Sequence, residues 1–233
     1  MYLFLPCIAC TTCEEVLDLP EKSKLNLNDL KAMKPNETVK CLTHLTRHKL
    51  SPAEAKFIWI KIVDLYNGTQ NIPDDVLKEL HWVITVVTPE EFSNLTLSNI
   101  EVISTLGVDY GLSQAQLDAI ADRVREDFGG KQPEDYTSYD LIGLRQILCA
   151  FNASEIDRIH PKAYKEAASV IGNLKNCDYE VLKAFAALAI QKSAFGPPRF
   201  WTNGTLQILG AVANFFPKEF VNSIKSSNNG TKS

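Results

Sequence analysis

The sequence predicts an all-α protein, built as a superhelical solenoid of short antiparallel helices with irregular, armadillo-like repeats. Three observations lead to this prediction. Apolar residues recur every three or four positions along most of the 233 residues, as on one face of an α-helix. Several of these stretches begin with a helix-capping pattern. No stretch keeps the period-two alternation of a half-buried strand, and the β-branched run at 81–88 is interpreted as a buried helix end.

The clearest predicted helix begins after Ser51. The tetrapeptide Ser-Pro-Ala-Glu at 51–54 places a hydroxyl at the N-cap, proline at the first helical position and glutamate at the third, so two reciprocal capping bonds can form. Helically spaced apolar residues follow and stop at Gly68, which favours a left-handed C-terminal cap. The same pattern recurs at Thr88 and, with glutamine, at Ser113.

Further helices are predicted by the same reasoning. They cover about 74–86, 98–106, 113–128, 138–151, 154–171, 178–191 and 205–215, and Pro161 divides the helix at 154–171. Capped starts fall at 51, 88, 113, 138, 154 and 178, which are unevenly spaced, so the repeat is irregular. A short helix with one apolar stripe cannot bury it alone, and successive helices are expected to stack. A compact irregular bundle is the alternative.

Three regions are predicted along the chain. Residues 1–12 are an apolar leader without a basic start, and both a truncated signal region and a first strand or helix remain open for it. Residues 13–216 form the helical superhelix. Residues 217–233 are polar and are predicted to be a disordered tail.

Charge and hydropathy exclude two classes of partner. The 24 basic and 28 acidic side chains are interspersed, and no window is basic enough to neutralise several phosphates, so no nucleic acid is expected to bind. The longest apolar run, 184–190, is far shorter than the roughly 20 residues that cross a bilayer. No transmembrane span is therefore expected in this chain.

N-glycosylation sequons occur in excess. With 15 Asn and 28 Ser or Thr, chance gives about two Asn-x-Ser/Thr matches. The chain has six, at Asn36, Asn67, Asn94, Asn152, Asn203 and Asn229. This excess predicts passage through the secretory pathway and an extracellular or cell-surface location. Apart from Asn229 in the tail, the sequons fall at predicted helix ends or connections, where a glycan does not disturb a core.

The cysteine pattern agrees with secretion. Six cysteines, at 7, 10, 13, 41, 149 and 177, suggest disulfides in a secreted chain, and two equal separations stand out, 13 to 41 and 149 to 177. A metal or iron–sulfur cluster at the first three is the alternative, but the fourth cysteine that such a cluster needs is absent because residue 17 is Leu17. No metal or cofactor is expected.

No catalytic residues are identified, and the chain is predicted not to be an enzyme. His44 and His48 have zinc-pair spacing but lack the adjacent glutamate, so a solvated or hydrogen-bonding pair is favoured. Carboxylate pairs at 74–75, 90–91 and 126–127 lie at predicted helix ends, which favours a structural role. The aromatic stretch 195–201 is either a packed corner between helices or an exposed interface anchor.

Three segments carry a resemblance to a known family. They are the stretch from Thr88 to Leu106, the helix start from Leu148 to Ile156, and the Asn-Cys-Asp corner at 176–178. In these the chain resembles the mesothelin, stereocilin and otoancorin family of cell-surface and matrix glycoproteins, over about residues 13–215.

The resemblance implies a superhelix of short helices and paired cysteines, Cys13 with Cys41 and Cys149 with Cys177. It also implies a non-enzymatic role in cell or matrix adhesion, an extracellular protein or glycoprotein partner, of mucin type in one branch, and a C-terminal lipid anchor in several members. The segment 13–41 lacks the aromatic residues of the mucin-binding branch, so mucin binding is not assigned. The chain ends without a hydrophobic tail, so a lipid anchor is expected only if the precursor is longer.

The predicted function is that of a non-enzymatic, N-glycosylated, disulfide-bonded adhesion protein of the cell surface or extracellular matrix. Two alternatives remain open at this point. One is a lectin-like superhelix that binds the glycans of other glycoproteins. The other is a secreted hydrolase whose catalytic residues are distant in sequence.

Overall fold

The computed structural model describes residues 12–19, 25 and 27–227, and these residues form α-helices and 3₁₀ segments without a β-strand. The helices are α1 Cys13–Leu17, α2 Leu27–Ala32, α3 Pro35–Lys40, α4 Leu42–Leu45, α5 Pro52–Tyr66, α6 Asp74–Leu77, α7 Pro89–Phe92, α8 Ile100–Leu106, α9 Gln114–Asp127, α10 Ser138–Leu144, α11 Ala153–Arg158, α12 Pro161–Ile171, α13 Tyr179–Ala189, α14 Asn203–Leu209 and α15 Lys218–Ser227. The 3₁₀ segments are Thr69–Asn71, His81–Val86, Pro133–Asp135, Arg145–Ala150, Pro198–Phe200 and Gly210–Phe215. Residues 1–11, with Cys7 and Cys10, and the sequon at Asn229 lie outside the described residues.

The all-helical prediction is confirmed, and three predicted helices are each divided in two. The stretches 74–86, 138–151 and 205–215 each contain a short α-helix followed by a 3₁₀ segment. The second element starts at a residue with left-handed backbone: φ is 39° at His81, 45° at Arg145 and 50° at Gly210. Because a right-handed helix cannot continue through such a residue, the α-helix and the 3₁₀ segment after it are separate elements.

The capping boxes predicted at Ser51, Thr88 and Ser113 are confirmed. At Thr88 the hydroxyl accepts from the Glu91 N–H at 3.2 Å, and the Glu91 carboxylate accepts from the Thr88 N–H at 2.8 Å. Each such box stabilises a helix start by about 1 kcal/mol. Equivalent boxes start α10 and α11, at Thr137 and Asn152.

A regular repeat underlies the irregular helix spacing. A 3₁₀ segment, an α-helix, a second 3₁₀ segment and a second α-helix follow one another from residue 69, again from residue 133, and again from residue 198. The four elements start at 69, 74, 81 and 89 in the first copy, at 133, 138, 145 and 153 in the second, and at 198, 203, 210 and 218 in the third. The spacing between these starts is therefore identical in all three copies. We call residues 69–127, 133–189 and 198–227 the first, second and third repeats.

Packing also recurs from repeat to repeat. The long helix before each repeat packs on its second 3₁₀ segment: α5 on His81–Val86, α9 on Arg145–Ala150, and α13 on Gly210–Phe215. Within the first two repeats α7 packs on α9 and α11 packs on α13. These principal partners are near neighbours in the chain order.

Two glycines allow close backbone contact between successive repeats. The carbonyl of Gly107 accepts a hydrogen bond from the Gln146 N–H at 3.0 Å, and at the equivalent place in the second repeat the carbonyl of Gly172 accepts from the Ala211 N–H at 2.8 Å. A Cβ atom at either glycine would lie 2.5 Å from a backbone carbonyl oxygen of the next repeat, which is closer than real Cβ contacts. The absence of a side chain is thus required at both positions.

The prediction of a disordered tail from residue 217 was wrong for 218–227, which form α15. The physical reason is an apolar stripe within a polar composition. Phe220, Val221 and Ile224 are spaced along one helix face and are partly buried against the core, and the Phe220 ring lies 6.3 Å from that of Trp201. The free energy gained by burying this apolar stripe stabilises the helix although the residues around the stripe are polar.

Candidate functional site

Carboxylates of the predicted pairs form hydrogen bonds and ion pairs that join structural elements. Glu91 caps α7 and also accepts from the indole nitrogen of Trp59 at 2.8 Å. Burial alone would raise the pKa of Glu91, but the hydrogen bonds from Thr88 and Trp59 hold it below its usual value of 4.5. Asp127 forms an ion pair with Arg123 and accepts from the Leu97 N–H at 2.9 Å. These contacts place the carboxylates where they hold neighbouring elements together.

The two sequence-spaced histidines line a depression of about 470 Å³. His44 and His48 lie there beside leucine side chains of α2 and α4 and the N-terminus of α5. Within the residues that the structure describes, no group of three or more His, Cys, Asp or Glu side chains is placed to hold a metal ion.

The aromatic stretch 195–201 is mainly a packed corner. Trp201 is buried, and its indole nitrogen donates to the Gly196 carbonyl at 3.0 Å. Phe195 meets Tyr164 edge to face with ring centroids 6.4 Å apart. Phe200 alone in this stretch is a large apolar side chain that remains exposed, at 68%. Of the two interpretations of the sequence, the structure supports the packed corner.

The structure contains the two disulfides that the family resemblance implied. Cys13 is bonded to Cys41 with 5.1 Å between Cα atoms, and Cys149 to Cys177 with 4.8 Å. The first joins α1 to the end of α3. The second joins the 3₁₀ segment Arg145–Ala150 to the corner before α13, beside a depression of about 480 Å³.

The described sequons lie at helix ends and in the first turns of helices. Asn36 is in the first turn of α3, Asn67 ends α5, Asn94 follows α7, Asn152 is the N-cap of α11 and Asn203 begins α14. Four of these side chains are exposed, and Asn203 is half-buried. Their placement agrees with the sequence analysis, and their glycosylation remains a prediction.

A third depression, of about 340 Å³, has a composition unlike the other two. It opens where the segment after α4 faces the start of the 3₁₀ segment His81–Val86. Its lining consists of Thr43, Thr46, Arg47, His81, Trp82 and Tyr110. We call it the Trp82 depression.

Two aromatic rings and a histidine form one wall of the Trp82 depression. Trp82 and Tyr110 meet edge to face, with centroids 5.0 Å apart and planes at 75°. The His81 Nδ1 atom lies 3.1 Å from the Tyr110 hydroxyl oxygen. Burial raises the pKa of Tyr110 above its usual value of 10.0, although the charge of Arg145 opposes this, so the hydroxyl keeps its proton at neutral pH.

Cations surround this aromatic wall. Arg47 lines the depression, and the Lys49 ammonium lies 5.3 Å from the centroid of the Trp82 ring. The Arg145 guanidinium is close enough to influence Tyr110 and donates from Nε to the Ile142 carbonyl at 3.2 Å. Among the described residues, none of these three cations forms an ion pair.

Sequence reasoning missed this depression because its residues come from three separate segments. The left-handed backbone at His81 is not itself a sign of function, since the same conformation recurs at Arg145 and Gly210 in the later repeats. The available signal was a comparison between repeats. Where the first repeat has Trp82 and Tyr110, the second has Gln146 and Lys175.

Comparison with known proteins gives relatives of one kind. Human and mouse otoancorin are each 30% identical to the chain over 131 residues, which are 56% of the chain and 11% of each relative. Mouse stereocilin is 24% identical over 169 residues, 72% of the chain and 9% of the relative. The chain is otoancorin- and stereocilin-like. The resemblance to this family predicted from the sequence is thereby confirmed.

This otoancorin- and stereocilin-like chain spans only about a tenth of the length of the relatives it matches. Its sequence matches no model of a known protein family. Across the described residues, no helix combines the length and the apolar character that crossing a bilayer requires.

Proposed function

We propose that the chain is an extracellular, N-glycosylated module that acts without catalysis in the attachment of cells to a matrix or to other cells. The observation that carries the proposal is the similarity to otoancorin and stereocilin, because the resemblance to this family implies a role in adhesion. The partner proposed is an extracellular protein or glycoprotein.

The covalent features support an extracellular location. Two disulfides join elements that are distant in sequence, and such bonds persist mainly in oxidising compartments. Four of the described sequon asparagines are exposed, and at Asn152 the capping bond uses the side-chain oxygen, which accepts from the Glu155 N–H at 2.9 Å. A glycan on the Asn152 amide nitrogen would leave this cap in place.

The repeat supports a superhelical solenoid as the architecture of the module. Solenoids are built from units that pack mainly on their neighbours in the chain. The recurring order and spacing of the elements, and the recurring contacts of α5, α9 and α13 with the following 3₁₀ segment, are what such an arrangement requires. A solenoid exposes a long surface relative to its mass, which suits attachment.

Small-angle scattering of the monomer tests the solenoid. A compact domain of 233 residues has a radius of gyration of about 17 Å. A solenoid gives a larger value and an asymmetric distance distribution. A radius close to that of the compact domain, with a symmetric distribution, would favour the compact bundle instead.

Cell attachment tests the function. The chain, secreted from cultured mammalian cells and coated on a surface, should support saturable attachment of epithelial cells, and soluble chain should compete. The control is the same protein after reduction and heat treatment, which should not support attachment. Equal attachment to both coatings, or to albumin, would contradict the proposal.

Treatment of the same material with an N-glycosidase tests its location. A fall in apparent mass is expected if the sequons are used. An unchanged band, together with free thiols at Cys149 and Cys177, would contradict an extracellular role.

A further inference from the structure

We infer that the Trp82 depression is a binding site for an acidic saccharide, that is, a sugar carrying sulfate or carboxylate groups. The inference rests on the proposed function in one respect, because an extracellular chain meets such sugars on cell surfaces and in matrices. It is otherwise argued from the side chains of the depression.

The charge of the site selects an anion. Arg47 and Lys49 are exposed, and neither forms an ion pair with a carboxylate of the described residues. The acid beside Tyr110 in the sequence, Asp109, is held by Lys175 at 3.0 Å. This cluster is basic although the whole chain has a net charge of −4. Charge-assisted hydrogen bonds from Arg and Lys to sulfate or carboxylate are among the strongest polar contacts.

The aromatic wall selects a sugar rather than a simple ion or an acidic peptide. A pyranose ring presents C–H groups on its faces and hydroxyls at its rim, which match side chains with an apolar ring and a polar edge. Trp82, His81 and Tyr110 are of this kind, and they stand next to the cations. The volume of about 340 Å³ lies within the range of small-ligand sites, about 300–1,000 Å³.

The indole N–H of Trp82 is an available donor. The other two tryptophans use theirs internally: Trp59 donates to Glu91 at 2.8 Å and Trp201 to the Gly196 carbonyl at 3.0 Å. The Trp82 indole has no such acceptor among the described residues. A hydroxyl or an anionic oxygen of a bound sugar would satisfy it.

The second repeat shows that the fold does not need this arrangement. At the equivalent positions, the Gln146 side-chain amide bridges to the Lys175 backbone, and the Cys149–Cys177 disulfide closes the corner. The depression beside that disulfide is lined by Asp178 and Glu180, which repel an anion. The cations and rings of the first repeat are therefore not required to form the corner.

Titration with defined oligosaccharides tests the inference. The probes are a heparin octasaccharide, a hyaluronan octasaccharide, a neutral chitin oligosaccharide and an octaglutamate peptide, each at about 0.15 M ionic strength. Affinity is measured by calorimetry on the full chain. In ¹H–¹⁵N spectra the Trp82 indole signal should shift on binding, and those of Trp59 and Trp201 should not.

The variant Arg47→Ala/Lys49→Ala removes two exposed cations that make no structural ion pair. We expect at least an approximately tenfold weaker affinity for the acidic oligosaccharide, as the loss of even one charge-assisted bond implies. The matched control is Lys192→Ala/Arg199→Ala, which removes the same charge from two exposed positions, one after α13 and one in the 3₁₀ segment Pro198–Phe200. The control should change the affinity less than about twofold, since distant exposed charges are screened. Unchanged thermal unfolding would verify that both variants fold.

Three outcomes would overturn the inference: no saturable binding of either acidic oligosaccharide, equal losses in the variant and its control, or equal affinity for octaglutamate or the neutral sugar. The attachment assay separates this failure from failure of the proposed function. A chain that supports attachment without binding acidic sugars disproves the site alone. A chain that binds them but supports no attachment disproves the proposed function.

Discussion

The first and second repeats solve the same structural problem in different ways. In both, a 3₁₀ segment must be held against the corner that precedes the next long helix. In the second repeat a covalent bond does so, between Cys149 and Cys177. In the first, the equivalent positions hold Thr85 and Leu112, and the α9 residue Gln116 donates instead to the Val87 carbonyl at 2.8 Å.

The difference teaches where the chain can vary without loss of the fold. The backbone of the corner is shared, down to the left-handed residue that begins each 3₁₀ segment. What fills the corner is not shared. One copy is closed by a disulfide and an amide, and the other holds an aromatic pair open to solvent and ringed by cations. Positions with the same structure in both repeats are those that the fold requires. Positions that differ between the repeats are those that can specialise.

Among the changes that test this comparison, removal of the disulfides is expected to cause the largest loss in the free energy of unfolding. Each closes a separation of 28 residues, so the chain-entropy account predicts about 3–4 kcal/mol lost from the free energy of unfolding for Cys149→Ala/Cys177→Ala. Cys13→Ala/Cys41→Ala is the matched variant because its loop length is the same. Urea unfolding of both variants, without reductant, measures the two losses.

Equal losses would mean that the disulfide acts only through the unfolded chain. A clearly larger loss at 149–177 would show that the corner itself depends on the bond.

The reciprocal variant, Thr85→Cys/Leu112→Cys, tests whether the first repeat can form the same disulfide. If the two corners share their backbone, it should oxidise to a disulfide detectable by peptide mapping, and persistent free thiols would show that they do not.

The next effect concerns the two glycines that the repeats share. Gly107→Ala and Gly172→Ala each place a methyl group against a backbone carbonyl, which forces the packed elements apart, so a loss of about 1–3 kcal/mol is expected for each. Gly204→Ala is the control, because its nearest neighbour is the Thr202 hydroxyl at 3.6 Å. Thermal and urea unfolding should show little change for the control. A neutral result at Gly107 with a large one at Gly172 would contradict the shared backbone.

The smallest effect concerns two equivalent carboxylates, Glu91 and Glu155. Both cap a helix, but Glu91 also accepts from Trp59, whereas Glu155 binds the Arg125 guanidinium through both oxygens, at 2.7 and 3.0 Å. Glutamine keeps one acceptor oxygen for the cap, removes the charge and turns an NH₂ group toward the donor that the second oxygen accepted. We expect Glu155→Gln to lose about 1 kcal/mol, and less in high salt. Glu91→Gln should also lose about 1 kcal/mol, but with no salt dependence, because the buried Trp59 indole N–H loses its acceptor. Urea unfolding at low and high NaCl measures this.

The pH dependence follows from the same two groups. Burial opposes ionisation of Glu91 and Glu155, but hydrogen bonds and, for Glu155, the Arg125 charge hold both pKa values below the usual 4.5. The folded state therefore binds these protons less readily than the unfolded state. Their contribution is present above about pH 4.5 and is lost as the pH falls through the depressed values. Stability of either glutamine variant that falls as steeply in acid as that of the parent would contradict this.

Much of the fold was accessible from the sequence. The capping boxes at Ser51, Thr88 and Ser113 depend on residues within one helical turn, and each is present in the structure. The regular repeat was also present in the sequence, because capped starts that looked irregular one by one recur when starts one repeat apart are compared. The start at Thr88 has its counterpart at Asn152, and the start at Ser113 has its counterpart at Asp178.

The helix-breaking turns and the tail were harder to predict. His81 and Arg145 adopt a positive φ that is uncommon for residues other than glycine, and each begins a 3₁₀ segment that packs on the preceding long helix. α15 was missed because its polar composition outweighed a stripe of three apolar residues in the sequence reasoning. In the structure this stripe makes the segment helical, since it packs against Trp201 and the core.

The sequence by itself determined the helical class, the helix starts, the sequons and the family. Each of these depends on residues close together in the chain or on motifs that can be recognised in the sequence itself. Only the tertiary structure brought Arg47, Trp82 and Tyr110 to one place. These residues are far apart in the chain, and no local preference links them. Their proximity follows from the burial of apolar stripes between successive repeats, which sets the register of the helices and, with it, the side chains that meet at the surface.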